Sequence, residues 1–405
     1  MTVLVLNSGS SSLKFALVEP DTGKRALDGI AERIGGEDAT LTTHTILGDK
    51  ETVALPRSSH EAVLHEVLDR LDRLARAGLH RQIEGIGHRV VHGGEEFTES
   101  VLITDRVEAS ILAAARLAPL HNPANLEGIR AARAAFPHVP QVAVFDTAFH
   151  QTMHPRAFRY AVPESWYQDH GVRKYGFHGT SYRYVAEQSA RKLERPESEA
   201  QLLIAHLGNG CSACAVRCGK SADTTMGFTP LPGLVMGTRS GDVDPSLVAY
   251  MAGQRAVDAD AVTRELNERS GLLGLSGLSN DMRTLLEARS QGNARAALAI
   301  ELFCYRLASW LLALCASLER LDALVFTGGI GEHAAAIRAE VVARLWPLGA
   351  RLDPDANDRH GAPTGRISAE GSVPVWVVAT DEEHMIALDT RRLTQPPGRP
   401  SAIVR

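Results

Sequence analysis

Two stretches of this chain, 199 residues apart, follow one grammar. Leu4-Val5-Leu6-Asn7-Ser8-Gly9-Ser10 has a counterpart in Leu203-Ile204-Ala205-His206-Leu207-Gly208-Asn209-Gly210, with Gly9 matching Gly208. In each, an apolar run of buried-strand character enters a turn of small, permissive residues. Each turn then leads into a second apolar strand, Phe15-Ala16-Leu17-Val18 or Cys214-Ala215-Val216. Later in each half comes another strand with a polar exit: Val142-Ala143-Val144-Phe145-Asp146 in the first, Ala323-Leu324-Val325-Phe326-Thr327-Gly328-Gly329 in the second. The same parts in the same order point to an internal duplication. The pattern predicts two similar α/β domains with their ligand turns facing across a cleft.

The rest of the chain agrees with an α/β protein. A helix is expected from Ser58 to Leu79, where Leu64, Val67, Leu68, Leu71 and Leu74 form one stripe and Ser58-x-x-Glu61 fits a capping box. A second runs from about Ala294 to Leu321, apolar around much of its circumference and therefore central or at a subunit interface. Short β-rich segments lie at Ile86–Val91, Gln141–Phe145, Leu202–Ala205, Ala323–Phe326 and Val373–Val378. The tail Thr394 to Pro400 has no core pattern. A length of 405 residues and 44% hydrophobic content support full-sized domains. A net charge of −5 gives no general attraction to nucleic acid or anionic membrane. Five cysteines are too few and too unevenly spaced for a disulfide framework. No signal peptide opens the chain, and its longest apolar run, Leu307 to Leu318, is too short to span a bilayer. These features predict a soluble protein of the cytoplasm.

The polar turns suggest phosphate chemistry. Asn7 to Ser12 can point N–H and O–H groups at one spot, and Lys14 adds a point charge; the alternative is an ordinary serine-rich hairpin. Neither a Walker P-loop nor a G-x-G-x-x-G fingerprint occurs: Gly219-Lys220-Ser221 lacks the first glycine, and Gly329-Ile330-Gly331 is followed by Glu332-His333-Ala334. Instead His206-Leu207-Gly208-Asn209-Gly210 and Gly328-Gly329-Ile330-Gly331-Glu332 each follow a strand, and with the first turn they suit a nucleotide held between domains. Arg89 and Arg239 sit beside glycines, where a guanidinium can grip a carboxylate or phosphate or form a structural ion pair. Asp146, at a strand exit, can hold a magnesium–water shell or orient a nucleophile. His178, between Gly176 and Gly179, can donate to a transferring phosphoryl group. Cys211, Cys214 and Cys218 have a metal-like spacing, but strand geometry sends Cys211 and Cys214 to opposite faces.

Taken together these motifs resemble the acetokinase family, within the wider superfamily of sugar kinases, heat-shock chaperones and actin. The likeness runs from Leu4 to Glu383. It includes Gly87-His88-Arg89-Val90-Val91-His92-Gly93-Gly94, Pro119-Leu120-His121-Asn122-Pro123-Ala124, Phe177-His178-Gly179-Thr180-Ser181 and Met236-Gly237-Thr238-Arg239-Ser240-Gly241-Asp242. The resemblance implies two duplicated ribonuclease H-like (actin-like ATPase) domains around a nucleotide cleft: residues 1–150 plus 383–405, and a nucleotide-binding domain of residues 151–382. It implies reversible transfer of the ATP γ-phosphoryl group to acetate, giving acetyl phosphate and ADP, with Mg2+ or Mn2+, in a homodimer. Asn7 and Glu382 would then serve the metal and Lys14 the nucleotide phosphates. Arg89 would bind the acetate carboxylate in a small pocket of Val91, Leu120, Phe177 and Pro230. Asp146 would be catalytic, and His178 and Arg239 would stabilise the transition state. His206, Leu207, Gly208, Asn209, Gly210, Asp281, Met282, Arg283, Gly329, Ile330, Gly331, Glu332 and His333 would bind the nucleotide. Acetate is already ionised at neutral pH, so Asp146 is better suited to orienting than to deprotonating.

The chain departs from the family pattern at four places. Cys211 stands for a glycine, Tyr182 for a histidine, His333 for an asparagine and His384 for a leucine-like residue. Nucleotide preference, and whether Glu382 or Glu383 meets the metal, are open at this level. The competing readings are a propionate or butyrate kinase and a non-catalytic nucleotide-dependent clamp.

Overall fold

The computed structural model describes residues 1–9, 11–76, 78, 82–119 and 121–395. Its contacts divide the chain into two units, residues 1–148 with the stretch from Asp381 onward, and residues 149–380.

Among the described residues the first unit is built on eight strands: β1 (Val3–Ser8), β2 (Ser12–Val18), β3 (Arg25–Glu32), β4 (Thr40–Thr45), β5 (Lys50–Ala54), β6 (Gly85–Val90), β7 (Val101–Leu102) and β8 (Gln141–Phe145). They lie in the order β5-β4-β3-β2-β1-β6-β8-β7. β1 and β2 form the hairpin that the opening turn implies, and its register puts Lys14 opposite Asn7 on the second strand. Side chains alternate across the pleat, which gives the sheet two apolar faces. Leu4, Leu6, Leu13, Phe15 and Leu17 pack with Val63, Leu64, Val67 and Leu71 of the helix His60–Arg76. Val3, Val5, Ala16 and Val18 pack on the other side with Ile386 and Ala387 of the helix Glu382–Thr394.

The second unit has β9 (Gln201–Leu207), β10 (Cys211–Arg217), β11 (Lys220–Thr224), β12 (Ala323–Thr327) and β13 (Val375–Val377), in the order β11-β10-β9-β12-β13. Leu202, Ile204, Cys214, Val216, Ala323 and Val325 pack with Tyr182, Val185, Ala186 and Ala190 of the helix Gly179–Lys192. The long helix Ala294–Leu314 ends seven residues before the expected Leu321, giving way to a 3-10 turn at Cys315–Ser317. By length and composition the stretch Ala294–Ser317 is long and apolar enough to cross a membrane, longer than the run Leu307 to Leu318 on which the expectation above rests. Nine of its side chains, from Ala296 to Leu314, are buried, as in a core helix.

The sheets share a core. β3-β2-β1-β6-β8 and β11-β10-β9-β12-β13 both place an antiparallel three-strand meander beside two parallel strands. This order changes one pairing expected above. β12 lies next to β9 as β6 lies next to β1, so the counterpart of β12 is β6, and that of β8 is β13. A buried strand with a polar exit does not reveal which neighbour it joins. In the second unit the crossover to β12 carries a long helical segment, so distance along the chain does not rank the strands.

Candidate active site

In both units the predicted residues gather where the parallel strands end, the general ligand edge of α/β sheets. In the first unit, Arg89 near the end of β6 meets Asp146 just past β8. The Arg89 Nε donates to Asp146 Oδ1 (2.9 Å) and Nη2 to Oδ2 (2.6 Å). Asp146 is buried and Arg89 half-buried. Nη1 also reaches Asn7 Oδ1 at 3.3 Å, and the Glu382 carboxylate lies 3.8 Å from Nε. Burial alone would lower the Arg89 pKa, but Asp146 and Glu382 outweigh it and hold the guanidinium above its ordinary value. Burial raises Glu382 to about 7, against the pull of Arg89 and with added repulsion from Asp146 and Glu383.

The two adjacent glutamates are distinguished by their partners. Glu383, with Asp381, turns to Arg25 (3.4 and 2.7 Å from Nη2), while Glu382 faces Arg89 and Asp146. His384 donates from Nε2 to the Pro20 carbonyl. Among the described residues no three His, Cys, Asp or Glu side chains cluster to hold a metal. A Mg2+ ion does not need such a cage, since it takes one or two carboxylates and keeps several waters. Asn7 Oδ1 and a Glu382 carboxylate beside another acid fit that demand.

The surroundings of this cluster are fixed by residues the sequence reading missed. Asn125 and Asn122, on the helix Asn122–Ala135, accept from the backbone N–H groups of Val91 (3.0 Å) and His92 (3.1 Å). Asn125 Nδ2 donates to the Ser8 carbonyl, and His60 Nε2 to that of Gly9. The motif around Asn122 was the available signal. Val91 is half-buried beyond β6, and Leu120 lies outside the described residues.

In the second unit His178 precedes the helix Gly179–Lys192 with a left-handed backbone, φ +59°. His150 secures the approach: its Nε2 donates to the Phe177 carbonyl (2.9 Å), and burial lowers its pKa to about 4. The His178 ring stacks on His206, centroids 4.3 Å apart. A Cβ built on Gly210 would meet both Arg239 Nη1 and His178 Nε2 at 3.5 Å, so the two cationic or donor groups converge beside this glycine. Arg239 Nη1 also donates to the Pro230 carbonyl (3.3 Å), and Phe177 is buried.

A cavity of about 480 Å³ opens between the turn after β9 and the short helix Gly328–His333, which stands where the sequence pattern predicts a turn. Gly208, Asn209, Asp281, Met282, Arg283, Gly329, Ile330 and His333 line it, as expected, and so do Asn280, Leu286 and Ala334, which the sequence reading did not select. Leu286 is one helical turn past Met282, and Asn280 adjoins Asp281. Asp281 caps its helix, and hydrogen bonds from Arg283 hold it at about 2. Five predicted nucleotide residues of this unit do other work or sit behind the lining, Gly210 among them, which lies beside His178 and Arg239. Glu332 turns inward and accepts from the N–H groups of Gly328 (3.0 Å) and Thr380 (3.3 Å). Gly331 is buried. His206 and Leu207 are buried in β9. The Cys211 thiol donates to the Gly208 carbonyl (3.1 Å), bracing the turn. Fully buried Arg338, also missed, donates to the carbonyls of Gly331 and Glu332 (both 2.9 Å) and to Asn357; burial lowers its pKa to about 10.

A duplicated α/β fold with carboxylate, arginine and metal-type oxygens at one sheet edge and glycine turns around a cavity at the other defines a phosphoryl-transfer class of protein. The model of the acetokinase family matches residues 2–388, and the chain belongs to that family. It is 54% identical over 393 residues to the acetate kinase of Stutzerimonas stutzeri, covering 96% of this chain and 98% of that one. The acetate kinase of Deinococcus radiodurans is 52% identical, with 96% and 97% covered. Among solved structures, a propionate kinase from Francisella tularensis superimposes with a TM-score of 0.92 at 45% identity, covering 97% and 99% of the two chains. Porphyromonas gingivalis acetate kinase gives 0.91 at 40% identity, covering 97% and 100%. The fold is thus the duplicated actin-like α/β fold.

Proposed function

We propose that this chain catalyses reversible, Mg2+-dependent transfer of the ATP γ-phosphoryl group to acetate, giving acetyl phosphate and ADP by direct in-line attack. The observation that carries the reading is near-full-length identity of 54% to an acetate kinase. Arg89 takes the acetate carboxylate: its bonds to Asp146 and Asn7 leave further N–H hydrogens on Nη1 and Nη2. Asp146 orients rather than deprotonates, because the acceptor is already an anion. His178 and Arg239 donate to the equatorial oxygens of the γ-phosphoryl group, and Lys14 neutralises phosphate charge. Asn7 and Glu382 hold Mg2+, or Mn2+ in its place, which when bound neutralises charge on the phosphate oxygens. Val91, Leu120, Phe177 and Pro230 bound the methyl group. The cavity of the second unit takes the nucleotide base and ribose, with the glycine turns on the phosphates.

The division into 1–150 plus 383–405 and 151–382 as two actin-like domains, a homodimer and a cytoplasmic location complete the proposal. Leu298 and Tyr305 stand exposed on the outer face of the helix Ala294–Leu314 and support a second copy as its partner. Five free cysteines support a reducing compartment, and the net charge of −5 supports small-molecule partners over nucleic acid or membrane.

The propionate kinase likeness favours a second reading, the same chemistry on propionate. Measuring kcat/KM for acetate, propionate and butyrate tests both, since one methylene is worth about 10–200-fold. Acetate is expected to lead. Propionate in front selects the second reading, and ATP turnover indifferent to any carboxylate overturns both in favour of a nucleotide clamp.

A further inference from the structure

His178 is backed by two hydroxyl groups. Its Nδ1 lies 2.8 Å from Ser212 Oγ, on β10, and Ser212 Oγ lies 2.5 Å from Tyr182 Oη, one helical turn past His178. Tyr182 and Ser212 are both fully buried. Among the described residues Ser212 Oγ is the sole hydrogen-bond partner of the Tyr182 hydroxyl, and Ser212 Oγ bonds only Tyr182 and His178. Burial also keeps the phenol protonated, its pKa well above the usual value.

These facts set the direction of the chain. A buried O–H with one acceptor in reach donates to it, because the reverse arrangement leaves a buried donor orphaned. Ser212 therefore accepts from Tyr182 and has its own proton to give, and the remaining partner is His178 Nδ1. The stacked neighbour His206 shows the contrast. Its Nδ1 meets Ser181 Oγ (2.8 Å), which meets Thr380 Oγ1 (2.7 Å), but Thr380 is part-exposed and has no enforced direction.

We propose that Tyr182, acting through Ser212, is a positioning residue that fixes His178 as the Nε2–H tautomer, with that N–H directed beside Gly210 toward the phosphoryl group in flight. Nδ1 accepts, so the proton of the neutral ring resides on Nε2. Nε2 is also the nitrogen that converges with Arg239 Nη1 on Gly210. The opposite tautomer would present a lone pair to phosphate oxygens, which have only lone pairs of their own. The phosphoryl target rests on the function proposed above; the tautomer does not.

The test is the two-bond 1H–15N spectrum of the uniformly 15N-histidine-labelled full chain, with the His178 signals assigned by their loss in His178→Gln. The wild type is expected to show a pyrrole-type Nε2 and a pyridine-type Nδ1. Tyr182→Phe, nearly isosteric, is expected to shift that ring toward a tautomer mixture. It should lower kcat about tenfold while leaving KM for ATP and the carboxylate within about twofold. Ser212→Ala should do the same and Ser212→Thr should restore both readouts; this pair decides the matter if Tyr182→Phe does not fold. A wild-type ring protonated on Nδ1 overturns the inference, as do variants whose tautomer and kcat fail to move together. If the wild type shows no carboxylate-dependent turnover, the proposed function falls, and the spectrum alone still decides the tautomer.

Discussion

The two sheets share a five-strand core but use their parallel-strand ends differently. The first unit places charge there: Arg89 and Asp146 in a two-bond pair, with Asn7 and Glu382 alongside. The second places backbone there: glycine turns around a cavity, with His178 and Arg239 converging at Gly210. A duplicated scaffold has thus diverged into one edge suited to a carboxylate and a hard cation and another suited to phosphates. What was kept is the strand order; what changed is the chemistry of the residues just past the strands.

The largest expected effect tests the phosphate side. Arg239→Ala should lower kcat by about 10³-fold, the scale of a lost arginine finger, with much less change in KM for the carboxylate. Steady-state kinetics giving a near-normal kcat would break the assignment of transition-state charge to the second unit.

The next test compares two glycines. Gly87, in β6, packs against the helix Glu382–Thr394, and a Cβ there would collide with Ile386 and Thr390. Gly87→Ala should therefore destabilise by about 1–3 kcal/mol, the scale of overpacking, lowering Tm by about 2–4 °C per kcal/mol. At Gly210 a Cβ makes only ordinary contacts at 3.5 Å, but it fills the space between His178 and Arg239. Gly210→Ala should keep Tm and lose roughly 10–10² in kcat/KM. Calorimetry and kinetics on the pair would erase the contrast if both variants lost stability alike.

The sequence makes some of this legible. Apolar runs with polar exits locate the strands, and the glycine-neighboured Arg89 and His178, with Asp146 at its strand exit, stand where short-range pattern says chemistry can occur. Long-range pairing is the part it does not carry. That β12 corresponds to β6 follows from hydrogen-bonded order, which repetition along the chain does not encode. Glu382 and Glu383 are identical in sequence and differ only because the helix from Glu382 turns one to Arg89 and the other to Arg25. Ser212 looks like any strand serine until Tyr182 and His178 close on it. Arg338 reads as a surface helix residue, yet tertiary packing buries it completely against the short helix Gly328–His333.

The smallest expected effect is shared by both units and concerns acid. Burial lowers His88 in the first unit and His150 in the second to about 4, from an ordinary value near 6.5. His88 Nε2 donates to Gln141 (2.7 Å) and His150 Nε2 to Phe177, so each is held as a neutral ring. In the unfolded chain these rings bind protons at a higher pH than in the folded one. Stability therefore rises with pH across the interval between the two values. Their contribution is fully present above about pH 6.5 and is lost progressively as pH falls toward 4. At pH 5.5 each ring should weaken the fold by about 1 kcal/mol relative to pH 7.5. Denaturant midpoints at the two pH values should differ less in His88→Gln than in the wild type, even though the variant is less stable at pH 7.5. An unchanged pH difference in both His88→Gln and His150→Gln would show that the two units do not hold these rings neutral.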